Sequence, residues 1–207
     1  MNQPRRRFIT VLEDILGEDT SGKEMKEVEH VFYGKILDAN ALAELAKQPY
    51  VTKILQEQFQ VKLDLGKNEG LLRTIIRARR VNGGEVALTR KTYIKGETGP
   101  KESTIEVGAE VFDFLRSAAG EGLYKMRYTI QPEGWDRKLE LDVFLDAAYH
   151  PTGYAKYDYE VPEDGKDLPL PPLPVALKEL RHLNPFTATA EDAEQLRSFM
   201  ASMSVPA

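Results

Sequence analysis

Residues 71–93 read Leu-Leu-Arg-Thr-Ile-Ile-Arg-Ala-Arg-Arg-Val-Asn-Gly-Gly-Glu-Val-Ala-Leu-Thr-Arg-Lys-Thr-Tyr. Asn82-Gly83-Gly84 between two β-prone runs is a strong hairpin signal. Side chains alternate across a strand, so Arg73, Arg77 and Arg79 share one face, while Leu72, Thr74, Ile76 and Ala78 share the other. After the turn, Thr89 and Lys91 fall on one face, Val86 and Leu88 on the other. A three-residue loop with Gly84 left-handed places Arg79 opposite Ala87 and Arg77 opposite Thr89, which gathers the cations on one face. Three arginines and a lysine held together there repel one another unless an anion lies between them. A polyphosphate suits that demand.

The totals narrow the field. A chain of 207 residues holds one domain with extensions and can bury a real core. Its formal net charge of -5 excludes the global basic field of a nonspecific DNA binder. No extended nucleic-acid surface is therefore expected. There is no cysteine, so disulfide and thiolate chemistry are out. No apolar run has the roughly 20 residues of a membrane span, and Glu13 and Asp14 interrupt any signal-peptide core. The expected location is the cytoplasm.

Three segments are expected. Residues 1–22 carry Phe8, Val11, Leu12, Ile15 and Leu16 at helical spacing, an amphipathic helix followed by a linker. That helix docks on the body or on a partner; Arg5 to Arg7 leave membrane association as the alternative. Residues 23–165 hold the strands. Residues 166–207 form a proline-rich connector around Pro169, Pro171, Pro172 and Pro174, then helices at about 175–182 and 190–203, the second capped by Thr189. The connector reads as a rigid strap or as a partner's docking motif. Homodimerisation or a protein partner through the terminal helices is also open.

In the central segment, strands are expected over 26–33, 59–65, 71–81, 85–93, 102–107, 123–130, 138–145 and 154–161. Asp38 caps a helix to about Gln48 and a second short helix runs to about Gln56. Val111 to Leu115 mark another, ending by Gly120, and 95–101 form a loop. Every strand has a charged and an apolar face. An open sheet with its polar side in water would explain any one strand. It explains less well the dense pairs Glu27/Glu29, Arg77/Arg79, Lys125/Arg127, Glu140/Asp142 and Asp158/Glu160. The expected fold is therefore α+β: an eight-stranded antiparallel closed β-barrel with a charged lumen and helices packed outside.

These motifs in this order resemble the CYTH superfamily, the triphosphate tunnel metalloenzymes. The carriers are Glu27-Val-Glu29, Arg77-Ala-Arg79, Leu88-Thr-Arg-Lys91, Lys125-Met-Arg127, Leu139-Glu-Leu-Asp142 and Asp158-Tyr-Glu160, spanning about 26–163. The resemblance implies an eight-stranded tunnel and hydrolysis of inorganic tripolyphosphate, thiamine triphosphate, RNA 5'-triphosphate ends or another nucleoside triphosphate. Some relatives cyclise ATP.

The resemblance also implies roles. Lys62, Arg73, Arg77, Arg79, Lys91, Lys125 and Arg127 would bind the phosphates, with arginine's fork suited to bidentate contacts. Glu27, Glu29, Asp158 and Glu160 would bind one or two Mg2+ or Mn2+ ions. Glu27, Glu29, Lys91 and Glu160 form the catalytic set, and the ion activates water. Glu102, Glu106, Glu140 and Asp142 are further ligands or partners that orient the arginines. The family's first strand usually reads Glu-x-Glu-x-Lys, and Val31 stands where that lysine belongs. Hydrolase, nonhydrolytic triphosphate-binding module and nucleotide cyclase all stay open. Trp135 and Tyr149 are either base-stacking residues or core and rim positions, and His30 reads as a core histidine.

Overall fold

A computed structural model describes residues 28–63, 71–95, 101–162, 164–203 and 205–206. The expected N-terminal helix, Glu27, the turn after Asp64 and most of the 95–101 loop lie outside these residues. The strands are β1 (Val28–Ile36), β2 (Val51–Leu63), β3 (Leu71–Val81), β4 (Val86–Ile94), β5 (Lys101–Val107), β6 (Glu121–Ile130), β7 (Leu139–Leu145), β8 (Pro151–Val161), β9 (Leu177–Leu183) and β10 (Val205–Pro206). The helices are α1 (Ala39–Leu45), α2 (Ala109–Ala119) and α3 (Ala190–Ser202). No helix among the described residues is long and apolar enough to cross a membrane.

Strand order corrects the closed-barrel expectation. It runs β5-β4-β3-β2-β6-β7-β8-β1-β9, with β10 beside β6. This path has two ends, so the sheet is open and the charged faces line no closed lumen. A strand has two hydrogen-bonding edges. Both edges of β1 are occupied, by β8 and β9, so β1 has no edge left with which to close on β5.

The chain divides into two compact units. One is the hairpin unit, Gln56–Gly122. Its register matches the sequence reading: Arg77 faces Thr89 and Arg79 faces Ala87. The left-handed residues are Asn82 (φ 48°) and Gly83 (φ 72°), rather than Gly84. The Gly84 amide donates to the Val81 carbonyl at 2.8 Å, which closes the primed turn that suits twisted strands. The apolar face carries Phe59, Ile76, Ala78 and Leu88, all nearly solvent-free, and α2 supplies Val111, Phe112 and Leu115. Phe112 meets Phe59 edge-to-face at 5.4 Å. Gly120, left-handed at φ 71°, ends α2.

The second unit comprises Glu27–Leu55 and Leu123–Val205. Its core joins Phe32 of β1, Tyr128 and Ile130 of β6, Leu139, Leu141 and Val143 of β7, and Ala155, Tyr157 and Tyr159 of β8. Leu45 covers it from α1, whose first turn is capped by the Asp38 carboxylate. Val175, at the end of the proline-rich connector, is also buried there. Its amide donates to the Tyr157 hydroxyl at 2.9 Å, and that hydroxyl donates to its carbonyl at 3.1 Å. These bonds favour the strap reading. Thr189 caps α3 as expected, in a reciprocal box with Asp192.

Two expected helices are strands. Residues 51–55 begin β2, and β-branched Val51, Thr52 and Ile54 are the signal that favours this. Residues 177–183 form β9, although Leu177, Leu180 and Leu183 recur every third position as in a helix. Glu179 has φ +56° and the β1–β9 register slips beside it. This bulge breaks the two-residue alternation that would have announced a strand.

Gly34 makes the bulge possible. A Cβ there would lie 2.6 Å from the Lys178 carbonyl oxygen. Gly34→Ala is therefore expected to destabilise the chain by about 1–3 kcal/mol, the usual scale of overpacking. Thermal unfolding with amide exchange of β9 measures this; wild-type stability and protection would refute the close approach.

Candidate functional site

The hairpin unit presents a polar face of three cross-strand rungs. Lys62, Ile75, Lys91 and Glu102 form one; Gln60, Arg77, Thr89 and Thr104 the next; Gln58, Arg79, Ala87 and Glu106 the third. Lys91 is ion-paired with Glu102, and the Thr89 and Thr104 hydroxyls are 3.0 Å apart. Arg73 is exposed and lies over the Tyr93 ring at 4.0 Å. Arg79 Nε is buried without a hydrogen-bond partner in the structure. A guanidinium nitrogen in that condition favours an acceptor from outside. Glu106 is exposed on β5, and Lys62 is exposed on β2. Five expected phosphate ligands, Lys62, Arg73, Arg77, Arg79 and Lys91, thus belong to this unit.

The second unit has its own ionic face. Glu29 stands opposite Glu160, Val31 opposite Asp158 and Tyr33 opposite Lys156. Glu140 stands opposite Asp158, and Asp142 opposite both Lys156 and Arg127. Lys125 Nζ donates to Asp142 Oδ2 at 2.5 Å. Arg127 sends a fork to the same carboxylate, Nε to Oδ1 at 2.7 Å and Nη2 to Oδ2 at 2.8 Å. Its Nη1 pairs with Glu140. Lys138 also reaches Glu140, at 3.0 Å. Asp142 therefore pairs with both Lys125 and Arg127, and Glu140 with Arg127.

Protonation follows from this network. Burial alone would raise the Asp142 pKa, yet the adjacent Lys125 and Arg127 hold it well below the carboxylate range. Burial brings the Lys125 ammonium down to about 8, against the pull of Asp142, so the pair is still ionised at pH 7. Burial disfavours the Arg127 charge too, but Asp142, Glu140 and Asp158 more than offset it.

Metal donors were expected at Glu27, Glu29, Asp158 and Glu160. Glu27 lies outside the described residues. Glu29 and Glu160 are cross-strand partners, and carboxylate oxygens are the ligand type a hard divalent cation takes. Asp158 fits less well: its Oδ2 accepts from Lys156 at 2.6 Å, while its buried Oδ1 has no hydrogen-bond partner. Among the described residues no group of three His, Cys, Asp or Glu side chains is placed to hold a metal ion.

Lys156 is the residue of this face that sequence reasoning passed over. Alternation already put it beside Asp158 and Glu160, and that was the available signal. His30 sits on the opposite, apolar side, its Nδ1 2.9 Å from His182 Nε2, as a core histidine should.

No protein-family model and no curated protein matches the chain. Solved structures similar to it include the hypothetical protein NE1496, at 19% identity and TM-score 0.47, covering 83% of this chain and 98% of that one. The PH1819 protein of Pyrococcus horikoshii is similar at 16% identity and TM-score 0.40, over 84% and 89% of the two chains. A candidate adenylate cyclase of Bacillus halodurans is similar at 14% identity and TM-score 0.40, over 87% and 92%. At these low scores the likenesses establish neither fold nor activity for this chain.

Proposed function

We propose that the chain binds a short polyphosphate, inorganic tripolyphosphate or a nucleoside triphosphate, and hydrolyses it with the help of a divalent cation. The observation that carries the reading is Arg79, a half-buried guanidinium whose Nε lacks a partner, on the same face as Arg77 and Lys91. Arg73, Arg77, Arg79 and Lys91 would hold phosphate oxygens, and the Thr89 hydroxyl, on the Arg77 rung, is a further donor. Glu29 and Glu160, with Glu27 two positions earlier in the sequence, would hold Mg2+ or Mn2+. When bound, such an ion would acidify a coordinated water. Asp142 pairs with Lys125 and Arg127, and Glu140 with Arg127, which favours their charged forms.

A specific observation favours binding without turnover as the second reading. Val31 is buried opposite Asp158, and no ammonium emerges from β1 at that rung. Phosphate release from tripolyphosphate, pyrophosphate and nucleoside triphosphates, with Mg2+ or Mn2+, separates the two. Release that falls at least tenfold in Glu29→Gln and Glu160→Gln is the result expected of the hydrolase. Thermal stabilisation by tripolyphosphate without release would leave the binding module. Cyclic nucleotide from ATP would identify a cyclase, and neither stabilisation nor product would overturn the polyphosphate reading.

A further inference from the structure

Lys156 lies on β8 two residues before Asp158, facing Asp142 on β7 and Tyr33 on β1. Its side chain is only 15% exposed, and its Nζ is 2.6 Å from Asp158 Oδ2. Arg127 Nη2 approaches the same Oδ2 at 3.8 Å. Asp158 is itself about 95% buried, being 5% exposed, and its other oxygen is unpartnered. One resident cation thus already holds Oδ2, while Oδ1 has no solvent exposure through which an ion could enter. A Mg2+ ion binds carboxylate oxygen at about 2.0–2.1 Å, so ion and ammonium on one oxygen would be like charges almost in contact. They exclude one another.

We infer that Lys156 is a built-in counter-ion that holds Asp158 in place of a divalent cation, leaving the chain one exchangeable cation site, at Glu29 and Glu160, rather than two. Only the occupied Glu29 and Glu160 site rests on the polyphosphate reading. The ammonium-for-metal exchange at Asp158 stands on the contacts of Lys156 and is measured without any triphosphate. Lys156 is thereby a positioning residue. It also supplies a reason for its own burial, since a buried carboxylate left without a partner is strongly destabilising.

The test is a Mn2+ titration of the full chain, followed by electron paramagnetic resonance of the free ion, with thermal unfolding in parallel. Wild type and Lys156→Arg are expected to bind one ion. Lys156→Met should bind one more, with a thermal midpoint that Mn2+ raises beyond the wild-type shift. Adding Asp158→Asn to Lys156→Met should abolish the extra ion. The inference is overturned if wild type binds two ions, or if Lys156→Met binds no more than wild type. It is equally overturned if Lys156→Met stays unfolded in Mn2+ while the double variant folds, because Asp158 then cannot accept a metal. Failure of both variants to fold would assign Lys156 to Asp142 instead. Should wild type bind neither Mn2+ nor tripolyphosphate, the polyphosphate reading falls, and the extra ion in Lys156→Met still decides the role of Lys156.

Discussion

Asp142→Ala is expected to lower stability by about 3–5 kcal/mol, the range for breaking a buried ion pair by removing one partner. The side chain is fully buried and carries Lys125 and both arms of the Arg127 fork. Its loss leaves buried Lys125 without this partner and half-buried Arg127 beside Glu140 and, at 3.8 Å, Asp158. Replacing the set together, Lys125→Met, Arg127→Met and Asp142→Leu, should cost much less, because no uncompensated charge remains. Chemical denaturation of both variants makes the comparison. A small loss in Asp142→Ala would mean that water already solvates the cluster. The pH dependence has a definite sign. The folded pKa of Asp142 is depressed, so its contribution is complete above the unfolded value of about 4 and fades as pH falls toward the folded one. Asp142→Asn should therefore differ most from wild type near neutrality and converge with it in acid.

The same cluster shows what can be read from one sequence. Alternation alone placed Arg127, Glu140, Asp142, Lys156 and Asp158 on charged faces, because period two is a property of the strand itself. The hairpin register was also legible, since Asn82-Gly83 constrains its turn within a few residues. Partner choice was not. Lys125 stands opposite Phe144 yet bonds to Asp142, a diagonal contact fixed by the β6–β7 register. That register is set across the turn at Trp135, where no short-loop rule applies. The openness of the sheet was hidden for a related reason. It depends on β9 taking the second edge of β1, and the Glu179 bulge disguises β9 as a helix. Charged faces on eight strands are compatible with a closed or an open sheet, and edge occupancy, which decides between the two, leaves no mark in the alternation.

Arg79→Gln should weaken tripolyphosphate binding by roughly 10- to 100-fold while leaving the ligand-free thermal midpoint unchanged or slightly higher. A hydrogen bond to a charged group is worth about 1.5–3 kcal/mol, and each 1.4 kcal/mol is a factor of ten. Among the described residues Arg79 Nε has no hydrogen-bond partner to lose. Arg77 lies two residues away on the same face, so removing Arg79 also relieves like-charge repulsion. A purely structural arginine would behave in the opposite way, losing stability and leaving affinity alone. Arg79→Lys sharpens the distinction: it keeps the charge but loses the planar fork, so part of the affinity should go with the bidentate geometry. Isothermal titration at two salt concentrations separates the contributions, because the long-range part is screened and the contact part is not. Wild-type affinity in Arg79→Gln would remove the anion from this face, and with it the reason for gathering Arg73, Arg77, Arg79 and Lys91 there.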